Sequence, residues 1–181
     1  VAHYGGKLRR FISLSSDGRR LMWPGDVALN VKDFKVNFSA RLFPPQGRGI
    51  VHPASWRPGG AEIFYMTHEK KSGRLLFHFR DVTKKKDRLI ISTLGTPIEG
   101  VQAFETNFSR DGQWLAVNLD ASPKKKGVRR FFVLMEIATG KVVKLPRGYG
   151  VKKFHGFSWQ NHLILTAGWG KNRSVYKMGP L

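Results

Sequence analysis

The chain contains no cysteine, only 12 acidic residues among its 181, and no long uninterrupted apolar run. Without cysteine, neither disulfide bonds nor thiolate-bound metal ions hold the fold together. Without an apolar run of about 20 residues, the sequence predicts no membrane-spanning helix. The compartment stays open: we expect a periplasmic or secreted protein if a signal peptide was removed, and otherwise part of an intracellular complex.

Signatures of catalysis are also missing. There is no G-x-S-x-G nucleophile elbow, and the scattered carboxylates include no pair suited to acid–base chemistry. The stretch from Gly168 to Asn172 ends like a phosphate-binding loop, but it lacks the earlier glycine and the hydroxyl residue after the lysine. The sequence therefore favours a binding module without a cofactor over an enzyme.

Positive charge is abundant. Lysine and arginine number 32 against 12 acidic residues, which gives a net charge of +20 and a pI of about 10.8. Such an excess repels itself unless something anionic lies nearby. The predicted partner is an anionic macromolecule (RNA or an acidic protein) or a neighbouring subunit, and the alternative is a basic surface without a fixed partner.

Turn signals divide residues 107–145 into short apolar segments. Asp111-Gly112 favours a hairpin, because glycine tolerates positive φ and aspartate bonds its own backbone. Thr139-Gly140 marks a second tight connection, and the segments between are too short for helices. With a strand ending at Phe108, the stretch predicts a four-stranded antiparallel unit.

The same order of strands and turns recurs along the chain. The positions Gly18, Gly60, Gly112 and Asn161 mark equivalent turns, spaced by roughly 42, 52 and 49 residues, as in propeller repeats. We predict one all-β domain over 1–181, with units at about 8–50, 51–100, 101–150 and 151–181. In the first unit, Val27–Val31 and Phe34–Phe38 are the expected outer strands.

Residues 107–145 resemble a blade of the TolB-like, WD40-like (PD40) β-propeller repeat family. A blade of that family reads roughly S-P-D-G-K-W-L-A, matched here by Ser109 to Ala116 with Arg110 in place of proline. Its second half is matched by the run from Phe132 to Lys141. The resemblance implies propeller blades of four-stranded antiparallel sheets, but fold does not imply function.

Two arrangements would close the sheet edges of such a propeller. Residues Val1–Tyr4 supply the outer strand of the last unit in a four-bladed ring, or the chain belongs to a larger propeller completed by more polypeptide or by another subunit. We favour the larger propeller, because the TolB-like members have more blades. Residues 6–23 also resemble the start of a PH domain, but the sequence lacks the closing amphipathic helix of that fold.

Lysine clusters supply the candidate anion-binding residues. Two of them follow the second strand of their units, so the repeat places both on one face of a propeller. Further cations extend this patch, whereas Lys84–Lys86 fall between the third and fourth strands and belong on the opposite face. The predicted anion-binding residues are Lys70, Lys71, Lys124, Lys125, Lys126, Arg129, Arg130, Lys152 and Lys153.

The tryptophans divide into two groups. Trp23, Trp56, Trp114 and Trp159 fall at repeat-equivalent strand positions, Trp23 with Trp114 and Trp56 with Trp159, and we predict that they pack between blades. Trp169 lies outside this pattern, beside Gly168 and Lys171, and is the candidate for an exposed ring that stacks on a base or a sugar.

Three functional hypotheses follow. The first is a non-catalytic scaffold that holds an anionic or protein partner in a larger assembly. The second is a secreted or periplasmic TolB-like propeller that binds protein or glycan. The third is a metal-dependent propeller lyase acting on acidic polysaccharide, for which His52, His155 and Gln160 are the nearest candidates, although their spacing indicates no metal site.

Overall fold

The computed structural model of the chain describes residues 12–25, 28–42, 48–69, 74–84, 86–92, 101–121, 129–143, 150–169 and 171–179. Every regular element in these ranges is a β-strand, and the strands form four antiparallel sheets. No helix in the same ranges is long and apolar enough to cross a membrane. The predicted all-β fold of four-stranded blades is confirmed, and the PH-domain interpretation is wrong.

Within the described ranges, sheets I to III have four strands each, and sheet IV has three. Sheet I contains β1 (Ser13–Leu14), β2 (Arg20–Pro24), β3 (Leu29–Asp33) and β4 (Phe38–Leu42). Sheet II contains β5 (Arg48–Trp56), β6 (Glu62–Glu69), β7 (Arg74–Asp81) and β8 (Lys86–Ser92). Sheet III contains β9 (Val101–Phe108), β10 (Trp114–Ala121), β11 (Arg129–Glu136) and β12 (Val142–Val143). Sheet IV contains β13 (Val151–Phe157), β14 (Leu163–Trp169) and β15 (Asn172–Met178).

Each sheet begins with a tight hairpin, and in sheets I and III its turn has the sequence Ser-x-Asp-Gly. In sheet III, Ser109 Oγ donates to Asp111 at 2.6 Å and accepts from the backbone N–H of Trp114 at 2.8 Å. Gly112 has φ +68°, a value that side chains disfavour. Asn161 occupies the equivalent position in sheet IV with φ +60°, so the predicted series of turn positions is confirmed.

One predicted strand in sheet I is wrong. Residues 34–37 form a turn, and β4 begins at Phe38 instead of ending there. The carboxylate of Asp33 causes this, because it accepts hydrogen bonds from the backbone N–H groups of Lys35 and Val36 at 3.0 and 3.4 Å. A side chain that bonds the backbone of the next residues favours a turn over a continuing strand.

The core lies between facing sheets. The cluster between sheets II and III contains Phe64, which stacks on Phe77 with ring centroids 5.9 Å apart. A second cluster joins sheets I and II around Met22 and Ile63, and a third joins sheets III and IV around Phe154. Successive sheets therefore pack face to face, as blades of a propeller do.

The four tryptophans predicted to pack between blades behave differently. Trp56 is only 7% exposed, and its Nε1 donates to the carbonyl of Ser13 at 3.1 Å. Trp114 packs partly buried against the cluster between sheets III and IV. Trp23 is half-buried, because Met22 takes the core-facing position on β2. The prediction for Trp159 is wrong: it is 74% exposed, since it lies inside the turn between β13 and β14 and not on a strand.

Candidate anion-binding surface

The first turns of successive sheets contact one another at one end of the molecule, which we call the turn face. Arg57 Nε donates to the carbonyl of Gly112 at 2.9 Å, which connects sheets II and III. Asn161 Oδ1 accepts from the backbone N–H of Arg110 at 3.0 Å, which connects sheets III and IV. The turn face is defined by residues 15–18, 57–60, 109–112 and 158–161.

Acidic residues concentrate at this end. Seven of the 12 acids of the chain lie in the turn-face turns or at strand ends beside them: Asp17, Asp33, Glu62, Asp81, Asp87, Asp111 and Glu136. Of the other five, Glu69 and Asp120 lie near the opposite ends of their strands, Glu105 lies within β9, and Asp26 and Glu99 fall outside the described residues.

Arginines neutralise several of these carboxylates. Arg19 and Arg20 donate to the two oxygens of Asp33 at 3.0 and 2.9 Å. The hydrogen bond from Arg19, with those from two backbone N–H groups, lowers the pKa of Asp33 from 3.8 to about 2. Arg57 pairs with Glu62 in sheet II. The turn face therefore carries charges of both signs, many of which are already paired.

Among the described residues, the opposite end, which we call the loop face, has two carboxylates, those of Glu69 and Asp120. Antiparallel strands alternate in direction, so the connection from second to third strand lies opposite the first turn. In the strand register, Glu69 lies opposite Arg74 at this end of sheet II, and Ala121 lies opposite Arg129 at this end of sheet III. Residues 70–73 and 122–128, which contain the two predicted lysine clusters, are joined to these strand ends.

The clusters themselves, Lys70, Lys71, Lys124, Lys125 and Lys126, lie outside the described residues. Their shared location at the loop face agrees with the bounds of the flanking strands and stays a prediction.

Two of the other predicted cations already have carboxylate partners. Arg130 Nε lies 3.3 Å from Asp120 Oδ1, and Lys153 Nζ lies 3.0 Å from Glu105 Oε2. Lys152 is half-buried and also takes part in an interaction, while only the backbone of Arg129 is described. These cations contribute less positive charge to an anion-binding surface than their number suggests.

Two of the three lysines predicted for the opposite face lie there. Lys84 and Lys86 lie at the connection between β7 and β8, at the turn-face end of sheet II, and Lys85 falls outside the described residues. The Nζ of Lys84 lies 3.9 Å from Asp81 Oδ2. This cluster therefore provides a matched comparison for the lysines of the loop face.

The remaining candidates do not assemble into a site. Trp169 is the last residue of β14, and its side chain is not described. Its stacking on a base or a sugar therefore stays a prediction. His155 is exposed, with Nε2 at 2.6 Å from Thr166 Oγ1, and Gln160 is exposed in the neighbouring turn. The side chain of His52 is not described. Among the described residues, no three His, Cys, Asp or Glu side chains are grouped as metal ligands would be.

Solved structures resemble this chain in fold. A TolB from Agrobacterium tumefaciens matches with a TM-score of 0.59 and 14% identity, over 93% of this chain and 57% of its own. The hydrazine synthase of Kuenenia stuttgartiensis matches with a TM-score of 0.56 and 16% identity, over 85% and 48%. An oligogalacturonate lyase from Vibrio parahaemolyticus matches with a TM-score of 0.58 and 11% identity, over 88% and 45%.

No protein-family model and no curated protein matches the sequence. At such low identity, the structural likenesses show the fold alone, which is a TolB-like propeller fold. The chain spans about half the length of these structures, 48% of the hydrazine synthase and 57% of the TolB. Its sheets look like part of a propeller.

Proposed function

We propose that this chain is a non-catalytic propeller module that holds an anionic partner against its loop face within a larger assembly. The separation of charge along the strands carries the proposal. Seven acids lie at the turn face, whereas the connections bearing Lys70, Lys71 and Lys124–Lys126 are joined to strand ends at the other face.

Such a surface binds mainly through charge. Each lysine that neutralises a phosphate releases a condensed counterion, so affinity falls as salt rises and carries little sequence information. A carboxylate-rich protein surface interacts with the same lysines through the same electrostatics. The proposal therefore specifies that the partner is negatively charged, and RNA and an acidic protein are the two candidates.

The proposal is tested by comparing the binding of two triple variants. Lys124→Gln, Lys125→Gln and Lys126→Gln remove three positive charges at the loop face, and the same changes at Lys84, Lys85 and Lys86 remove three at the turn face. The probes are a labelled single-stranded RNA and a labelled polyglutamate, titrated over a series of salt concentrations.

We expect the loop-face variant to bind the RNA more weakly, with a salt slope reduced by about 2 if all three lysines contact phosphates. The turn-face variant should keep the wild-type slope. Equal losses in the two variants, or wild-type binding that does not depend on salt, would refute a localised anion site. The stronger of the two probes indicates whether nucleic acid or protein is the partner.

Two alternatives remain as proposals. The likeness to TolB is equally consistent with a secreted or periplasmic module that binds protein or glycan, and salt-independent capture of an uncharged ligand would favour it. The likeness to an oligogalacturonate lyase motivates the metal-dependent lyase. Stoichiometric transition metal in the purified protein, together with cleavage of pectate fragments, would support that enzyme over the binding module.

A further inference from the structure

The third strand of sheet IV has the exposure of an unprotected edge. In sheets II and III the third strands, β7 and β11, are largely buried, whereas β15 is exposed at six of its seven residues. Within the described part of the chain, β15 pairs with β14 on one side and with no strand on the other. Its outer backbone groups therefore provide a template for another strand.

The sequence that forms this sheet is rich in cations and contains no acid. From Ile137 to the last residue, the sequence has no acid and eight basic residues: Lys141, Lys144, Arg147, Lys152, Lys153, Lys171, Arg173 and Lys177. Strand side chains alternate, so Arg173, Val175 and Lys177 share one face of β15. Val175 is 70% exposed between the two cations.

We propose that the outer edge of β15 binds an extended acidic segment of a partner protein by strand addition. The segment carries acidic residues opposite Arg173 and Lys177 and an apolar residue opposite Val175, which is an acidic-x-apolar-x-acidic pattern. Backbone hydrogen bonds of the added strand provide affinity, and the alternate side chains provide specificity. Opposite charges directly across a strand pair are stabilising, and like charges are destabilising.

Charge complementarity selects this occupant over others. A second copy of the chain would bring the same lysines and arginines against β15. The first residues of the chain contain no acid before Asp17 but include Lys7, Arg9 and Arg10. Basic residues on an edge strand ordinarily prevent pairing between copies. An acidic strand reverses that repulsion, and the proposal does not depend on anion binding at the loop face.

The exposed ring of Trp159 lies in the turn between β13 and β14, at the turn-face end of sheet IV. It occupies the position of Ser16 and Arg110, two places before the positive-φ residue, and both of those contact the turn of the following sheet. Met178 pairs with Leu163, so the end of β15 lies beside the turn that contains Trp159. A large exposed aromatic side chain is a typical anchor at protein interfaces. We therefore place Trp159 at the rim of the strand-binding surface.

Three labelled peptides test the proposal on the full chain. The first has the sequence Thr-Glu-Thr-Val-Thr-Glu-Thr, the second is a scramble of the same composition with the two Glu adjacent, and the third is the first peptide with its edge-facing amides N-methylated. We expect the scrambled and the N-methylated peptides to bind about tenfold more weakly or worse, because they lose side-chain register or backbone pairing. Equal binding of all three would mean attraction by charge alone and would overturn strand addition.

A charge reversal provides the matched protein variant. The double variant Arg173→Glu with Lys177→Glu should no longer bind the acidic peptide and should instead bind Thr-Lys-Thr-Val-Thr-Lys-Thr. This gain of binding can be measured even if the wild-type affinity for the acidic peptide is low. Trp159→Ala should weaken the acidic peptide by a smaller factor. A reversal variant that still prefers the acidic peptide would contradict the proposal.

Two controls separate this proposal from its alternatives. The variant with Lys124, Lys125 and Lys126 changed to Gln should bind the acidic peptide within about twofold of wild type, whatever its effect on polyanions. Ala2→Pro with Tyr4→Pro should leave peptide affinity unchanged. A large gain of affinity in that variant would show that the first residues of the chain cover β15, and would refute a partner strand.

Discussion

The side-chain amide of Asn118 makes two hydrogen bonds to the backbone of Phe154, accepting from its N–H and donating to its carbonyl, both at 2.8 Å. Asn118 lies on β10 of sheet III, and Phe154 lies on β13 of sheet IV beside a bulge. The amide thus acts as a short strand partner where β13 approaches the neighbouring sheet. The spacing of these two blades depends on this contact as well as on apolar packing.

Changing Asn118 to Ala should lower the free energy of unfolding by about 1–3 kcal/mol, because both backbone groups of Phe154 lose their partner in a partly buried place. Urea unfolding measures this. The exposed Asn172 on β15 offers a control, since Asn172→Ala should change stability by no more than about 0.5 kcal/mol. Equal effects of the two substitutions would mean that the bridge contributes nothing.

Asn161 provides a second prediction, because it has positive φ and also bonds its neighbours. Its Oδ1 accepts from the backbone N–H of Arg110, and its Nδ2 donates to Asp111 at 2.8 Å. Asn161→Gly removes these bonds but suits the backbone, whereas Asn161→Ala removes them and adds strain. Alanine should therefore be the less stable variant, by about 1–2 kcal/mol in urea unfolding. Identical stabilities would exclude backbone strain as a factor.

The ion pairs of Asp33 predict acid sensitivity. Its pKa is lowered in the folded state from 3.8 to about 2, chiefly by the hydrogen bond from Arg19. A carboxyl group with a lowered folded pKa adds stability that is complete above the unfolded value and is lost as pH falls towards the folded value. Asp33→Asn should therefore be less stable than wild type near neutral pH, and the difference should shrink between pH 3.8 and about 2. A difference that is constant over this range would contradict the assignment.

His162 predicts a second pH effect at milder acidity. Burial, and then the positive charge of Lys177, lower its pKa below 6.5. Because the folded state binds this proton less readily than the unfolded state, stability should decrease as pH falls below 6.5. His162→Gln should remove this part of the pH dependence, and Lys177→Gln should reduce it. Unfolding curves of the three proteins that change in parallel with pH would argue against the effect.

Trp56 and Trp159 form a matched pair for testing the packing of the blades. Trp56→Ala should cost about 3–5 kcal/mol, because it opens a cavity between sheets I and II. Trp159→Ala should change the free energy of unfolding by no more than about 0.5 kcal/mol, since that ring is 74% exposed. Urea unfolding of both variants measures the difference, and comparable losses would mean that Trp159 is covered in solution.

Local chemistry explains which features of the fold were predictable. The turns at Asp17-Gly18 and Asp111-Gly112 depend on bonds between residues a few positions apart, so the sequence indicates them directly. Asn161 was also recognisable as a turn position, because asparagine tolerates positive φ. The turn after Asp33 was not predicted, because the apolar Phe34 and Val36 alternate with polar residues as in a strand. The carboxylate that caps the turn precedes them.

Contacts between distant residues account for what sequence could not provide. Lys153 pairs with Glu105, and Arg130 pairs with Asp120, so two predicted anion-binding cations turned out to be partly neutralised. The Asp120–Arg130 pair follows from cross-strand register, which needs the strand bounds. The bridge from Asn118 to Phe154 crosses between sheets and has no sequence signature at all.

Lysine acetylation footprinting by mass spectrometry tests the central claim of a charge-separated propeller most directly. The protein is acetylated with and without a saturating polyanion, and the protection of each lysine is compared. We predict protection of Lys70, Lys71 and Lys124–Lys126 at the loop face, with Lys84–Lys86 at the turn face modified at the same rate in both samples. Equal protection of the two faces, or protection of the turn-face lysines alone, would contradict the account.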